Sequence, residues 1–299
     1  MSVERYISIH QVVHESCFSE DVVQSGAKMN LVPCGNTVQG HTVVLAPSDA
    51  YIPESFTRTI RSPGRHASLL SGLQRLRGQI YLEDGAIDRS ELTSDGRFVQ
   101  AIDNDAWHLV RLDASGDVCG CSRYMAHSGA LRFDETGVSR SPLSRSYEWS
   151  GRFKAAVEYE IALAGKLQVD FVEVGGWALS AELRCTSEAL RIALGTFSLA
   201  RLLGGCIGVT TATKRHCSAS ILRRIGGQPL MAQGFEIPRY FDPSFDCEME
   251  ILRFDSSRPN PRFERWIEEL KGYLAGVPVI RGGVRSEQVA ELDSAMTAA

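Results

Sequence analysis

The sequence predicts an α/β fold, in which a mixed sheet carries helices on its faces. Three observations predict it. Between Val169 and Gly227 the chain reads strand, helix, strand, helix. Residues 106–112 and 118–125 flank the turn sequence Asp113 to Asp117 and read as a β-hairpin. Residues 64–81 carry Leu69, Leu73, Leu76 and Ile80 on one stripe at helical spacing.

The totals narrow the function. The chain has 299 residues, enough for one large domain or two small ones. Its 43% hydrophobic content is ordinary for a soluble globular protein. No run approaches the roughly 20 apolar residues of a membrane helix. The first residues, MSVERYISIH, have no apolar core of signal-peptide type, so a cytoplasmic location is expected. A net charge of −4 gives no reason to expect a nucleic-acid partner. The eight cysteines form no C-x-x-C pair, and Cys119 and Cys121 read as small thiols on one face of a strand. No metal site is expected, and neither a Gly-x-Ser-x-Gly elbow nor a His-Glu-x-x-His helix is present.

In chain order, residues 1–60 read as an N-terminal extension packed on the main domain, with a short strand at Thr42 to Ala46. The main domain is expected over 61–275 and a frayed tail over 276–299. Residues 83–100 and 126–141 are loops. Residues 144–165 form a helix whose buried side is Trp149, Phe153, Ala156, Val157 and Ala164. Residues 169–179 are an apolar strand. A polar connector, 180–186, leads into a helix with Leu190, Ala193, Leu194, Phe197 and Ala200 on one face, stopped by Gly204 and Gly205. Residues 206–211 are a second strand, and a second helix runs from about Lys214 to Gly226-Gly227. Residues 228–245 read as an irregular loop, 247–254 as the last strand and 263–274 as the last helix.

The chemistry is expected where the 169–179 strand hands over to its helix. A helix start leaves backbone N–H groups without partners, and its dipole favours an anion. A phosphate fits there with no charged side chain. Gly175-Gly176 inside the strand signals a bulge or a close backbone approach.

These residues resemble the GNAT acyltransferase superfamily. Its fourth strand is bulged, and its next helix opens with Arg/Gln-x-x-Gly-x-Gly/Ala. The matching run here is Arg184, Cys185, Thr186, Ser187, Glu188 and Ala189, with Ser187 in place of the first Gly. The branch most resembled is that of N-acyl amino acid synthases and N-acyl homoserine lactone synthases. Arg77-Gly-Gln-Ile80-Tyr81 and Gly120 to Arg123 carry that likeness. The resemblance implies a GNAT-like, mostly antiparallel sheet over residues 64–254. It implies transfer of an acyl group from acyl-CoA or an acyl carrier protein to a small amine. The donor would lie on Val174 and the run from Arg184 to Ala189.

The remaining candidates follow from that reaction. Glu173 projects from an apolar strand, where burial would raise its pKa and suit it as the base. It also fits a salt bridge to Arg123 or another arginine. Backbone N–H groups at Gly175 and Gly176 would steady the oxyanion. Arg77, Asp103 and Arg123 would shape the acceptor site. Arg77 equally fits a solvated helix face, and Arg123 equally fits an ion pair with Asp103 or Asp105. His216, at a helix start, and His108, in a strand beside Trp107, are further proton carriers with structural readings of their own. Two rival readings remain: a non-catalytic domain that binds an acyl carrier or small ligand, and a short-chain acetyltransferase using acetyl-CoA.

Overall fold

The structure, a computed structural model, describes residues 40–127, 130–184, 186–214 and 218–283. The chain enters through β1 (Gly40–Ala46) and β2 (Thr59–Arg61). Helix α1 (Pro63–Glu83) begins with a proline in its first turn, where the missing N–H costs no helical bond. Its stripe Leu69, Leu73, Leu76 and Ile80 is buried. The hairpin is β3 (Trp107–Asp113) and β4 (Val118–His127). Helix α2 (Ser150–Leu167) starts later than its pattern predicts, because Pro142–Arg145 forms a separate 3-10 turn.

Then come β5 (Asp170–Leu179), α3 (Ser187–Leu202), β6 (Cys206–Thr213) and α4 (Ser218–Ile225). The expected strand–helix–strand–helix order holds. Gly204 and Gly205 end α3 at φ of 105° and 96°, a region that side chains disfavour. The stretch expected to be irregular holds four short strands: β7 (Gln228–Pro229), β8 (Met231–Ala232), β9 (Phe235–Glu236) and β10 (Tyr240–Asp242). Runs of two or three residues are too short to show a period. β11 (Cys247–Asp255), α5 (Glu264–Gly276) and β12 (Val279–Arg281) complete the described chain.

The main sheet runs β10-β11-β6-β5-β4-β3-β1-β12-β2, with β7 added against β11. It is mixed and mostly antiparallel, as expected. Parallel pairs occur at β5–β6, β1–β12 and β12–β2. β1 pairs with β3 inside the sheet, and β12 lies between β1 and β2 rather than in a frayed tail. Alternation along β1 explains this: Val43 and Leu45 face one helix layer, Val44 and Ala46 the other. A strand buried on both faces needs neighbours on both edges.

The sheet separates two apolar layers. α1 and α2 cover one face, with Leu112, Cys121 and Ala178 under α1 and Phe171, Ile207 and Val209 under α2. α3, α4 and α5 cover the other face, over Leu109, Tyr124, Val172 and Val174. α3 is buried nearly all round because α5 packs on its far side. Among the described residues no helix is long and apolar enough to cross a membrane.

Candidate functional site

β5 carries the bulge that Gly175-Gly176 signals. Against β4, Cys121 pairs with Ala178 and Arg123 with Gly175, so β5 holds one residue more than its partner. Gly176 takes that slack at φ of 60°. A Cβ there would stand 3.0 Å from Arg123 Cβ and 3.1 Å from Arg77 Nη1, so the position needs glycine twice over. On its other edge β5 pairs with β6 only from Asp170↔Cys206 to Val174↔Thr210. Both strands continue past that point without pairing with each other, so the sheet parts after Val174, two residues before Gly176. On the α3 face, Val174, Thr196, Phe197, Thr210, Leu252 and Phe254 line a shallow apolar depression.

The start of α3 lies beyond the parted strands. Thr186 caps it: its Oγ1 accepts the Glu188 N–H at 3.1 Å and donates to the Leu183 carbonyl at 2.7 Å. One of the N–H groups expected to be free for a phosphate is therefore taken within the protein. Ser187 and Ala189 are the flanking residues of the first turn, and Cys185 lies outside the described residues. Glu188 is turned into the protein, where Arg111 Nε on β3 lies 3.3 Å from Oε2 and Arg191 Nη1 3.4 Å from Oε1. Arg184 folds back, its Nε donating to the Leu179 carbonyl at 3.3 Å and its Nη2 lying 3.8 Å from Glu83 on α1.

Glu173 does not have the raised pKa expected of it. Burial pushes its carboxyl up, but three donors outweigh burial and hold it below the ordinary carboxylate value. They are His127 at 3.0 Å and the backbone N–H groups of Gly137 and Val138 at 2.8 and 2.9 Å. The expected arginine partner is replaced by a histidine and a loop. Half-buried Asp170 lies close enough for the His127 charge to oppose a burial-driven rise in its own pKa.

Arg77, Asp103 and Arg123, chosen from three separate stretches, meet on the α1 face of the sheet. Arg77 Nη1 donates to Asp103 Oδ1 at 2.9 Å and Nη2 to Oδ2, with neither side chain exposed. The solvated-face reading of Arg77 is thereby excluded. Arg123 Nη1 reaches Asp103 Oδ1 at 2.9 Å and Gln100 Oε1 at 2.6 Å. Gln74 adds a donor to Asp103 at 3.1 Å. Burial raises the Asp103 pKa, but the two guanidiniums hold it down at about 2. His108 Nε2 lies 2.8 Å from the Asp103 carbonyl, and burial pushes its pKa down to about 4, so it is neutral. His216 lies outside the described residues. Sequence reasoning missed Arg111, His127, Gln74 and Gln100. The alternation along β4 was the available signal for His127, since it shares a face with Arg123.

No protein-family model and no curated protein matches the chain. Solved structures do. The chain is similar to BjaI, a CoA-dependent acyl-homoserine lactone synthase, at 12% identity over 85% of this chain and 99% of that one, TM-score 0.48. It is similar to FeeM, an N-acyl amino acid synthase from uncultured soil microbes, at 13% identity over 73% and 93%, TM-score 0.43. It is also similar to arylalkylamine N-acetyltransferase 2 from Aedes aegypti, at 14% over 62% and 94%, TM-score 0.40. All three of those proteins are acyltransferases. Identities this low concern the path of the chain and leave the chemistry to the site's own geometry.

Proposed function

We propose that this protein transfers an acyl group from a phosphopantetheine thioester, carried by CoA or by an acyl carrier protein, to a small amine. One observation carries the reading: β5 is bulged at Gly176, parts from β6 after Val174, and leads through residues 180–186 into a 16-residue helix. A parted parallel pair leaves strand-edge amides and carbonyls for a pantetheine arm, which has an amide repeat of its own. The first turn of α3 attracts the phosphates. The apolar side chains beside Val174 would contact the acyl chain once the depression opens to admit it. Backbone N–H groups at Gly175 and Gly176 steady the charge on the thioester oxygen. On the opposite face, Arg77, Asp103 and Arg123 shape the acceptor's place. Their charges already satisfy one another, so they act as a rigid floor more than as a charge trap.

Thermal unfolding of the full chain with CoA and with thioesters of increasing chain length tests this. A donor that binds the native state at 100 times its Kd adds about 2.7 kcal/mol of stability and raises Tm by a few degrees. No shift with any thioester removes the reading. A second reading, a carrier-binding domain without turnover, has one observation in its favour. Glu173, the side chain placed to take a proton, is held by three donors within the protein. A shift without turnover on any amine supports it.

A further inference from the structure

Glu173 leaves the transfer without an obvious base, and the same contacts supply a replacement. We infer that His127 is the proton acceptor of the transfer and that Glu173 is its positioning residue. This rests on the acyl-transfer reading above. His127 ends β4, and Glu173 lies diagonally across from it on β5, on the same face of the sheet as Gly175. Glu173 Oε1 stands 3.0 Å from His127 Nε2. That oxygen is ionised and takes a Gly137 N–H as well, so it accepts from the ring and Nε2 carries the hydrogen. The tautomer fixed in this way puts the ring's lone pair on Nδ1. The Gly137 and Val138 amides lock the carboxylate in place, and Phe171 packs a tilted ring 6.2 Å from the imidazole. Both side chains keep a thin exposed edge, 13% for His127 and 16% for Glu173. Among the described residues, the charged groups near the ring are Glu173 and Asp170, both on β5.

His127 Nδ1 takes a proton from the acceptor's ammonium through bridging water. The neutral amine attacks the thioester carbonyl at the bulge, the C–N bond forms and the C–S bond breaks. The amide nitrogen sheds its second proton and the leaving thiolate takes one up, so the acceptor's two protons end on His127 and on sulfur. His127 then returns its proton to solvent. Gly175 is four residues along β5 from Phe171, the strand partner of His127, so roughly 13 Å of strand separates the bulge from His127, and the amine and bridging water occupy that interval.

His127→Gln tests the pair without dismantling it, because a glutamine amide still donates to Glu173. The assay is turnover of the full chain with a thioester that thermal shift shows to bind. The expected result is a fall in kcat of about 100-fold to 10,000-fold with KM within about threefold. His127→Ala, which leaves a space, should regain part of its kcat in added imidazole. The wild-type kcat should rise with pH along a single ionisation that His127→Gln abolishes. Unchanged kcat in His127→Gln, or a loss confined to KM, overturns the inference and leaves acyl transfer standing. His127→Ala that imidazole does not rescue overturns it too. A wild type that binds the thioester and acylates no amine overturns both this inference and the enzymatic reading. A wild type that binds no thioester overturns the donor site itself.

Discussion

Arg77 on α1 and Asp103, just before β3, form a two-pronged ion pair sealed from solvent on both sides. Such a pair is a weak source of net stability, because both charges give up their water. Breaking it is another matter. Arg77→Met leaves Asp103 ionised and buried, with Arg123 and Gln74 as its remaining side-chain partners. The expected loss is on the order of 3–5 kcal/mol in urea unfolding. The double variant Arg77→Met/Asp103→Asn should lose less than Arg77→Met alone. Equal losses would mean that the pair is not coupled, and that Arg77 serves by packing.

The same cluster sets the acid limb of stability. His108 titrates near 4 in the fold and near 6.5 when unfolded, so the unfolded chain binds its proton first. Its contribution is complete above about pH 6.5 and is lost as pH falls towards 4, on the order of 3 kcal/mol. Asp103 acts in a lower window. Its pKa of about 2 lies below the ordinary carboxylate value, so its contribution is lost from about pH 4 downward. His108→Gln keeps an N–H for the Asp103 carbonyl and cannot take up a proton. Urea unfolding of that variant should show a shallower loss of stability between pH 6.5 and 4 than wild type. A slope equal to wild type's would place the titration elsewhere.

Gly176→Ala probes the bulge. At φ of 60° an alanine pays about 1–2 kcal/mol, and its methyl would press on Arg123 and Arg77 at 3.0 and 3.1 Å. The neighbours are a β-carbon and a guanidinium already fixed by Asp103, so they yield little. The expected loss is about 2–3 kcal/mol in thermal or urea unfolding. Turnover should fall further than stability explains, since the bulge aims the backbone at the thioester. Gly175→Ala is the control. The nearest atom to its Cβ is Arg123 Nη2 at 4.0 Å and its φ is ordinary, so it should cost less. Equal costs would show that the bulge is not centred on Gly176.

The sequence carried this much because bulges and caps are local. A Gly-Gly pair inside an apolar run has few explanations, and the run from Thr186 into Leu190 has the form of a helix start. Partnership across the sheet is not local. Glu188 finds Arg111, and Glu173 finds His127, through the register of β3, β4 and β5, which no single segment specifies. Alternation gives the face of each residue but not its neighbour. Thus Arg123 was readable as a partner for an aspartate, while nothing distinguished Asp103 from Asp105. β12 was invisible for a different reason. Three residues make no pattern, and their place between β1 and β2 is fixed by the sheet edge they fill.

Glu188 makes the donor cradle testable from beneath. It sits in the first turn of α3, where a carboxylate competes with a bound phosphate for the same helix dipole. Arg111 and Arg191 draw it inward and offset its charge, and their side chains are themselves mostly buried. Glu188→Gln removes the negative charge while keeping the shape. Both guanidiniums then lose their shared carboxylate, so stability should fall by about 1–3 kcal/mol. CoA should nevertheless bind about threefold to tenfold more tightly, the effect of deleting one like charge at several ångströms in a partly screened site. Calorimetry with CoA measures it, and pantetheine without phosphate should show no gain. The two effects have opposite signs, so general damage to the fold cannot imitate them. Weaker CoA binding in this variant would mean that the phosphates do not lie at this helix start.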